Sequence, residues 1–97
     1  MELLTKGLKK FLPRLYEQEE RGDEAIAYLK FFTPDSNWTW YVTEFDGKDT
    51  FFGLVDGFEK ELGYFSLSEL EKVRGRLGLP IERDMYFKPK AIKELMD

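Results

Sequence analysis

Pro34-Asp35, followed by Asp46-Gly47-Lys48, carries the bare letters of a metal-dependent nuclease core. Such a core needs two carboxylates converging on a hard cation, with a lysine beside the attacking water. The pattern is short, however, and Asp46-Gly47 also has the chemistry of a tight hairpin turn. Asp56, Glu59 and Glu61 form a second acidic set, but without EF-hand spacing, so a hydrated turn accounts for them. Glu69, Glu71, Glu82 and Asp84 supply an acid–base pair only if the fold brings two of them into one pocket. Arg83 lies between Glu82 and Asp84 and is expected to make a structural ion pair.

The chain has no cysteine and no histidine. Serine–histidine and cysteine–histidine nucleophiles are thereby excluded, as are zinc sites of thiolates and imidazoles and histidine-ligated haem. Gly75-Arg76-Leu77-Gly78 is too short for a phosphate-binding loop and lacks the following lysine. No cofactor and no metal is expected, and the chain reads as a non-enzyme.

The tract Trp38-Thr39-Trp40-Tyr41 carries more weight. Tryptophan and tyrosine on a sheet serve as core, as interface anchors, or as platforms that stack unpaired bases. Base stacking needs basic groups for the phosphates, and this part of the chain is acidic. Residues 1–14 hold Lys6, Lys9, Lys10 and Arg14 against Glu2, a balance of +3. Residues 15–71 hold Arg21, Lys30, Lys48 and Lys60 against fourteen carboxylates, a balance of −10. Residues 72–97 return to +3, and the whole is −4. An acidic middle region suits a basic partner through complementary potential.

The elements that must position these residues follow from periodicity. Leu4, Leu8, Phe11 and Leu12 predict a helix over 3–12, capped by Thr5 and ended by Pro13. Residues 17–24 predict a mobile charged loop. Residues 25–33 predict a central strand, apolar on both faces. After the turn Pro34-Asp35-Ser36-Asn37, residues 38–45 predict a strand with Trp38, Trp40 and Val42 on one face and Thr39, Tyr41, Thr43 and Phe45 on the other. Residues 50–56 and 62–65 complete the strands. Ser66 with Glu69, and Ser68 with Glu71, have capping-box spacing and open a helix that carries Leu67, Leu70 and Val73. Ile81 is a candidate strand start. Pro89 opens a last helix carrying Ile92, Leu95 and Met96. The expected fold is α+β: an antiparallel sheet of three to four strands, with short helices at the N-terminus, after the sheet and at the C-terminus, packed on one sheet face.

Ninety-seven residues with nine Phe, five Tyr and two Trp suffice for one aromatic-rich core, so a single domain over 1–97 is expected. No apolar run is long enough to span a membrane, and Met1–Lys6 has no signal-peptide character. The missing cysteines fit a reducing compartment, so a cytoplasmic location without a membrane partner is expected.

Several blocks resemble the domain of unknown function 2958 family: Lys30-Phe31-Phe32-Thr33-Pro34, Asn37-Trp38-Thr39-Trp40-Tyr41, Phe51-Phe52-Gly53-Leu54-Val55, Glu61 to Leu70, and Gly78-Leu79-Pro80-Ile81-Glu82-Arg83-Asp84. Leu3-Leu4-Thr5-Lys6 and Leu12-Pro13-Arg14-Leu15-Tyr16 resemble it too. The resemblance implies no agreed activity. By association it implies bacterial, phage or plasmid origin and an accessory role in replication, transfer or anti-defence.

The expected function is therefore a protein-interaction module. Its candidate surface is Trp38, Trp40, Tyr41, Asp56, Glu59, Glu61 and Arg83, and its partner a basic nucleic-acid-handling protein. A single-stranded nucleic-acid binder is the second expectation, and a carboxylate–metal nuclease the third.

Overall fold

A computed structural model describes residues 1–96. The strands are β1 (Ile26–Ala27), β2 (Leu29–Phe32), β3 (Thr39–Phe45), β4 (Thr50–Asp56), β5 (Lys60–Ser66), β6 (Glu82–Arg83) and β7 (Lys90–Ala91). The helices are α1 (Lys6–Phe11), α2 (Leu67–Lys72) and α3 (Ile92–Leu95). Five strands form an antiparallel sheet in the order β5-β4-β3-β2-β6, and β1 pairs with β7 apart from it. The class is α+β, as expected, with a larger sheet than the three to four strands read from the sequence. The fifth strand is Glu82–Arg83, which pairs with Phe31 and Phe32 just after the candidate start at Ile81.

Local chemistry explains the helix ends. The Leu8 N–H donates to Thr5 Oγ1 at 3.2 Å, which caps α1. Pro13 forbids helical geometry at Leu12, which is extended. Phe11 does not join the apolar stripe; it stays exposed, with its ring edge-on to Tyr28 at 5.2 Å. Ser66 rather than Ser68 caps α2, accepting from Glu69 N–H at 3.1 Å. Ser68 is held instead by Asp49, whose carboxylate accepts from its N–H and its hydroxyl. Pro89 precedes a strand rather than a helix, and α3 starts three residues later.

A bulge in β3 decides which side chains reach the core. Val42 pairs with Gly53, but Glu44 pairs with Phe52, so Thr43 is an extra residue. One inserted residue exchanges the faces of everything beyond it. Phe45 therefore falls on the same face as Trp40 and Val42, not the opposite face that strict alternation predicts. It packs on Phe51 with ring centroids 4.8 Å apart. The bulge also sends Glu44 to the other face.

Both faces of the sheet are covered. One carries Leu29, Phe31, Trp40, Val42, Phe45 and Phe51 under Leu3, Leu4, Leu12, Leu70 and Ile81. The other carries Ala27, Leu54 and Ile92, with Tyr41, Phe87 and Leu95 against them. The expectation of helices on one face fails because α3 and the β1–β7 ribbon cover the second.

Two polar clamps close the chain over this frame. Gln18 is buried; its Nε2 donates to the carbonyls of Ile26 and Thr43, and its Oε1 accepts from Ile26 N–H at 2.7 Å. The segment expected as a mobile loop is thus tethered at its start, and it continues as a 3₁₀ stretch, Glu19–Glu24, broken at Gly22. Arg83 makes the second clamp. Its Nη1 donates to the carbonyls of Glu2 and Leu3, at 3.0 and 2.6 Å, rather than forming the expected ion pair. Asp84 pairs instead with Lys30 at 3.6 Å.

Gly53 sits where β3 comes closest. A Cβ there would lie 1.8 Å from the Tyr41 carbonyl oxygen, so the strands would have to part. Gly53→Ala should cost about 3 kcal/mol in denaturant unfolding; a loss below about 0.5 kcal/mol would contradict this packing. Asp46 supplies a second test. Its Oδ1 accepts from the N–H groups of Lys48, Asp49 and Thr50, closing the β3–β4 turn. The Lys48 N–H above all, then those of Asp49 and Thr50, hold this carboxyl below its ordinary range, against an opposing effect of burial. A lowered folded value means stability that is present above the ordinary carboxylate range and lost as pH falls through the folded one. Urea midpoints should drop as pH falls below about 4, and less steeply in Asp46→Asn; superimposable acid limbs would refute the charge contribution.

Candidate functional site

Trp38 is built into its place by a turn. Thr33 N–H donates to the Trp38 carbonyl at 3.0 Å, and Thr33 Oγ1 accepts from Trp38 N–H at 3.1 Å. The Trp38 ring stacks on Trp40, centroids 5.9 Å apart and planes within 28°. Trp40 is 8 % exposed, opposite Val55 in register, and belongs to the core. Trp38 is half-buried. On its far side the ring meets Phe58 edge-on at 5.3 Å. Such edge contacts add about 0.5–1.5 kcal/mol beyond area burial.

Phe58 is the residue the sequence reading missed. It stands at the β4–β5 turn with 94 % of its surface exposed. The turn is closed by Gly57 N–H donating to the Glu59 carbonyl at 3.1 Å. Gly57 is needed because a Cβ there would meet the Trp38 ring at 2.3 Å. A signal was present: Asp56-Gly57-Phe58-Glu59 puts a large aromatic where turn chemistry favours polar side chains.

Only part of the expected surface comes together. Trp38, Phe58, Glu59 and Glu61 line one shallow hollow with Val55, and Trp40 backs it. Tyr41 alternates to the other sheet face, where its ring lies 5.8 Å from Phe87. Burial, then the charges of Asp56 and Asp84, push its phenol up from the ordinary value. Asp56, two residues from Leu54, shares that face. Arg83 is on β6, at the sheet edge farthest from β5, and is committed to the N-terminal carbonyls.

A second groove, of about 460 Å³, runs along the other flank of the tryptophans. Arg74 and Arg76 line it with Trp38 and Trp40. The loop that carries them is fixed by Asp35, whose Oδ2 accepts from Leu77 N–H at 2.7 Å and from Leu79 N–H at 3.3 Å. Among the described residues Asp35 Oδ1 is buried without a partner, and a Cβ on Gly75 would fall 1.4 Å from it. Asp35 and Asp46 stand at opposite ends of the seven-residue β3, roughly 20 Å of strand apart. The convergence that a nuclease core requires does not occur. Among the described residues no cluster of three carboxylates is placed to hold a metal ion.

The family model described as "Protein of unknown function (DUF2958)" matches residues 3–94. The chain belongs to this family. No curated protein and no solved structure matches it significantly. In this DUF2958 chain the match spans the hairpin tip, both arginines and every strand. Among the described residues no helix is long and apolar enough to cross a membrane.

Gly57→Ala should push Trp38 off Phe58. Trp emission should move to the red and stability should fall by about 1–3 kcal/mol; an unaltered spectrum would show that the ring does not rest on the turn.

Proposed function

We propose that the chain acts as a non-enzymatic protein-interaction module that docks its β4–β5 turn onto a basic partner. The observation that carries this reading is Phe58, an almost fully exposed aromatic braced edge-on by Trp38 and flanked by exposed Glu59 and Glu61. An exposed aromatic with an edge contact to a neighbouring ring offers the kind of apolar area that interface anchors use. The two glutamates supply complementary charge and steer the approach of a basic surface. A nucleic-acid-handling protein offers such a surface, since its groove is built for phosphates. The family resemblance adds an accessory, mobile-element setting by association alone. The candidate carboxylates have other work, which favours binding over catalysis: Asp35 holds a loop and Asp46 closes a turn.

A second reading has an observation of its own. Arg74 and Arg76 beside Trp38 combine cations with an aromatic face, the chemistry that binds single-stranded nucleic acid. Its platform would be Trp38, not Tyr41, which faces the other way.

One set of variants separates the two. In a pull-down from the native host's lysate, with and without nuclease, Phe58→Ala should lower recovery of a nuclease-resistant partner about tenfold. Glu59→Lys with Glu61→Lys should weaken the same complex most at low salt. Loss in Arg74→Ala with Arg76→Ala, together with nuclease sensitivity, would transfer the function to the groove. Equal recovery by all the variants would refute both surfaces.

A further inference from the structure

On the sheet face opposite Trp38 lies a cleft of about 290 Å³. Its floor holds a buried carboxylate. Glu44 is 5 % exposed, delivered there by the Thr43 bulge. Its Oε1 accepts from Tyr16 N–H at 2.9 Å and its Oε2 from Gln18 N–H at 2.8 Å. Each oxygen keeps a second lone pair. Among the described residues no lysine or arginine lies within ion-pair distance of it, and none lines the cleft. A buried charge held only by backbone dipoles is costly, and a cation seated beside it would offset that cost.

The walls fit one kind of cation. Tyr16, Phe52, Leu62 and Tyr64 supply aromatic and apolar surface, and Glu19 adds a second negative charge. Phe52 and Tyr64 meet edge-on at 5.0 Å. Tyr16 is held at a φ of 74°, a left-handed conformation that is strained for a bulky residue. Such strain gathers at binding sites, where the surroundings hold it in place. The neighbouring Tyr16 hydroxyl above all, then burial and the charges of Tyr16, Glu44 and Glu19, push the Tyr64 phenol up. A hydrated metal ion would waste the aromatic walls, whereas an organic cation uses both the rings and the carboxylate. The volume suits something the size of a side chain.

We propose that this cleft binds a single organic cation on an apolar stem, the chemistry of an arginine or lysine side chain or of a free alkylguanidine. The site is independent of the β4–β5 turn, so either proposal can fail without the other. The test is an amide NMR titration of the full chain with n-butylguanidinium, with n-butanol as the neutral control. Saturable shifts at Tyr16, Gln18, Glu44 and Tyr64 with the cation alone are expected. Glu44→Gln keeps the shape and removes the charge, and should weaken binding about tenfold or more. Leu62→Arg, at a half-exposed position on the wall, places a tethered guanidinium in the cleft. It should abolish the response without lowering the melting temperature, and it decides the matter if Glu44→Gln does not fold. An acetylated and amidated Gly-Arg-Gly peptide that binds more tightly than the free cation would identify a partner's side chain as the source. Tighter binding of the free cation would identify a small molecule. Equal shifts with butanol, or no saturable response in the folded wild type, would overturn the proposal.

Discussion

One inserted residue in β3 governs the rest of this fold. If Thr43 paired regularly instead of bulging, Phe45 would leave the aromatic cluster around Phe51 and Glu44 would enter it. A glutamate in a dry aromatic core would carry a desolvation cost of several kcal/mol. With the bulge, the glutamate turns to the opposite face and meets the N–H groups of Tyr16 and Gln18. Those donors belong to a chain reversal with few partners of its own. Gln18 then reaches back to the Thr43 carbonyl, so the irregular strand and the irregular loop satisfy one another. The arrangement is reciprocal: the loop needs the bulged strand, and the bulged strand needs the loop.

The sheet also separates the surfaces. Alternation along β3 sends Trp40 one way and Tyr41 the other, and each finds a different cover. Trp38 lies where its ring passes beyond the core and meets Phe58. The acidic middle region read along the chain is therefore not one field. Glu59 and Glu61 belong with the tryptophans, Glu19 and Glu44 with the opposite cleft. Arg74 and Arg76, from the basic end of the chain, come to stand beside Trp38. Charge counted by sequence segment misjudges local potential because β topology brings distant segments together, and opposite signs then share one aromatic ridge.

What the sequence made legible had a local cause. Thr5 and Ser66 cap helices through bonds to residues three positions on, and spacing reveals them. Pro13 acts on its immediate neighbour. The hairpin between β3 and β4 followed from Asp46-Gly47. What escaped depended on distant partners. The role of Arg83 requires the N-terminal segment to lie across β6, some eighty positions away in sequence. Glu44 sits in a strand where period-two reading gives no hint of an extra residue. The two-residue strands β1, β6 and β7 are too short for any pattern. Sequence singles out Trp38, Trp40 and Tyr41, but not Phe58, which reaches Trp38 only through the turn at Gly57.

The two surfaces obey one physical rule, which strengthens the case for each. A small domain has little core with which to offset local defects. Three features here are costly and are held in place by their neighbours. They are the exposed ring of Phe58, the buried charge of Glu44 and the left-handed Tyr16. An apolar side chain at 44 would remove a charge, and a polar one at 58 would suit a turn. The replacement at 58 would be easier to fold, whereas the one at 44 would leave the Tyr16 and Gln18 N–H groups without their acceptor. Local sequence and fold disagree at Phe58 beside Trp38, at Glu44 and Tyr16 in the cleft under Tyr64, and at the orphaned Asp35 Oδ1 in the loop before β3. Features that local sequence alone would not favour thus gather at these places, where the surrounding structure holds them in position.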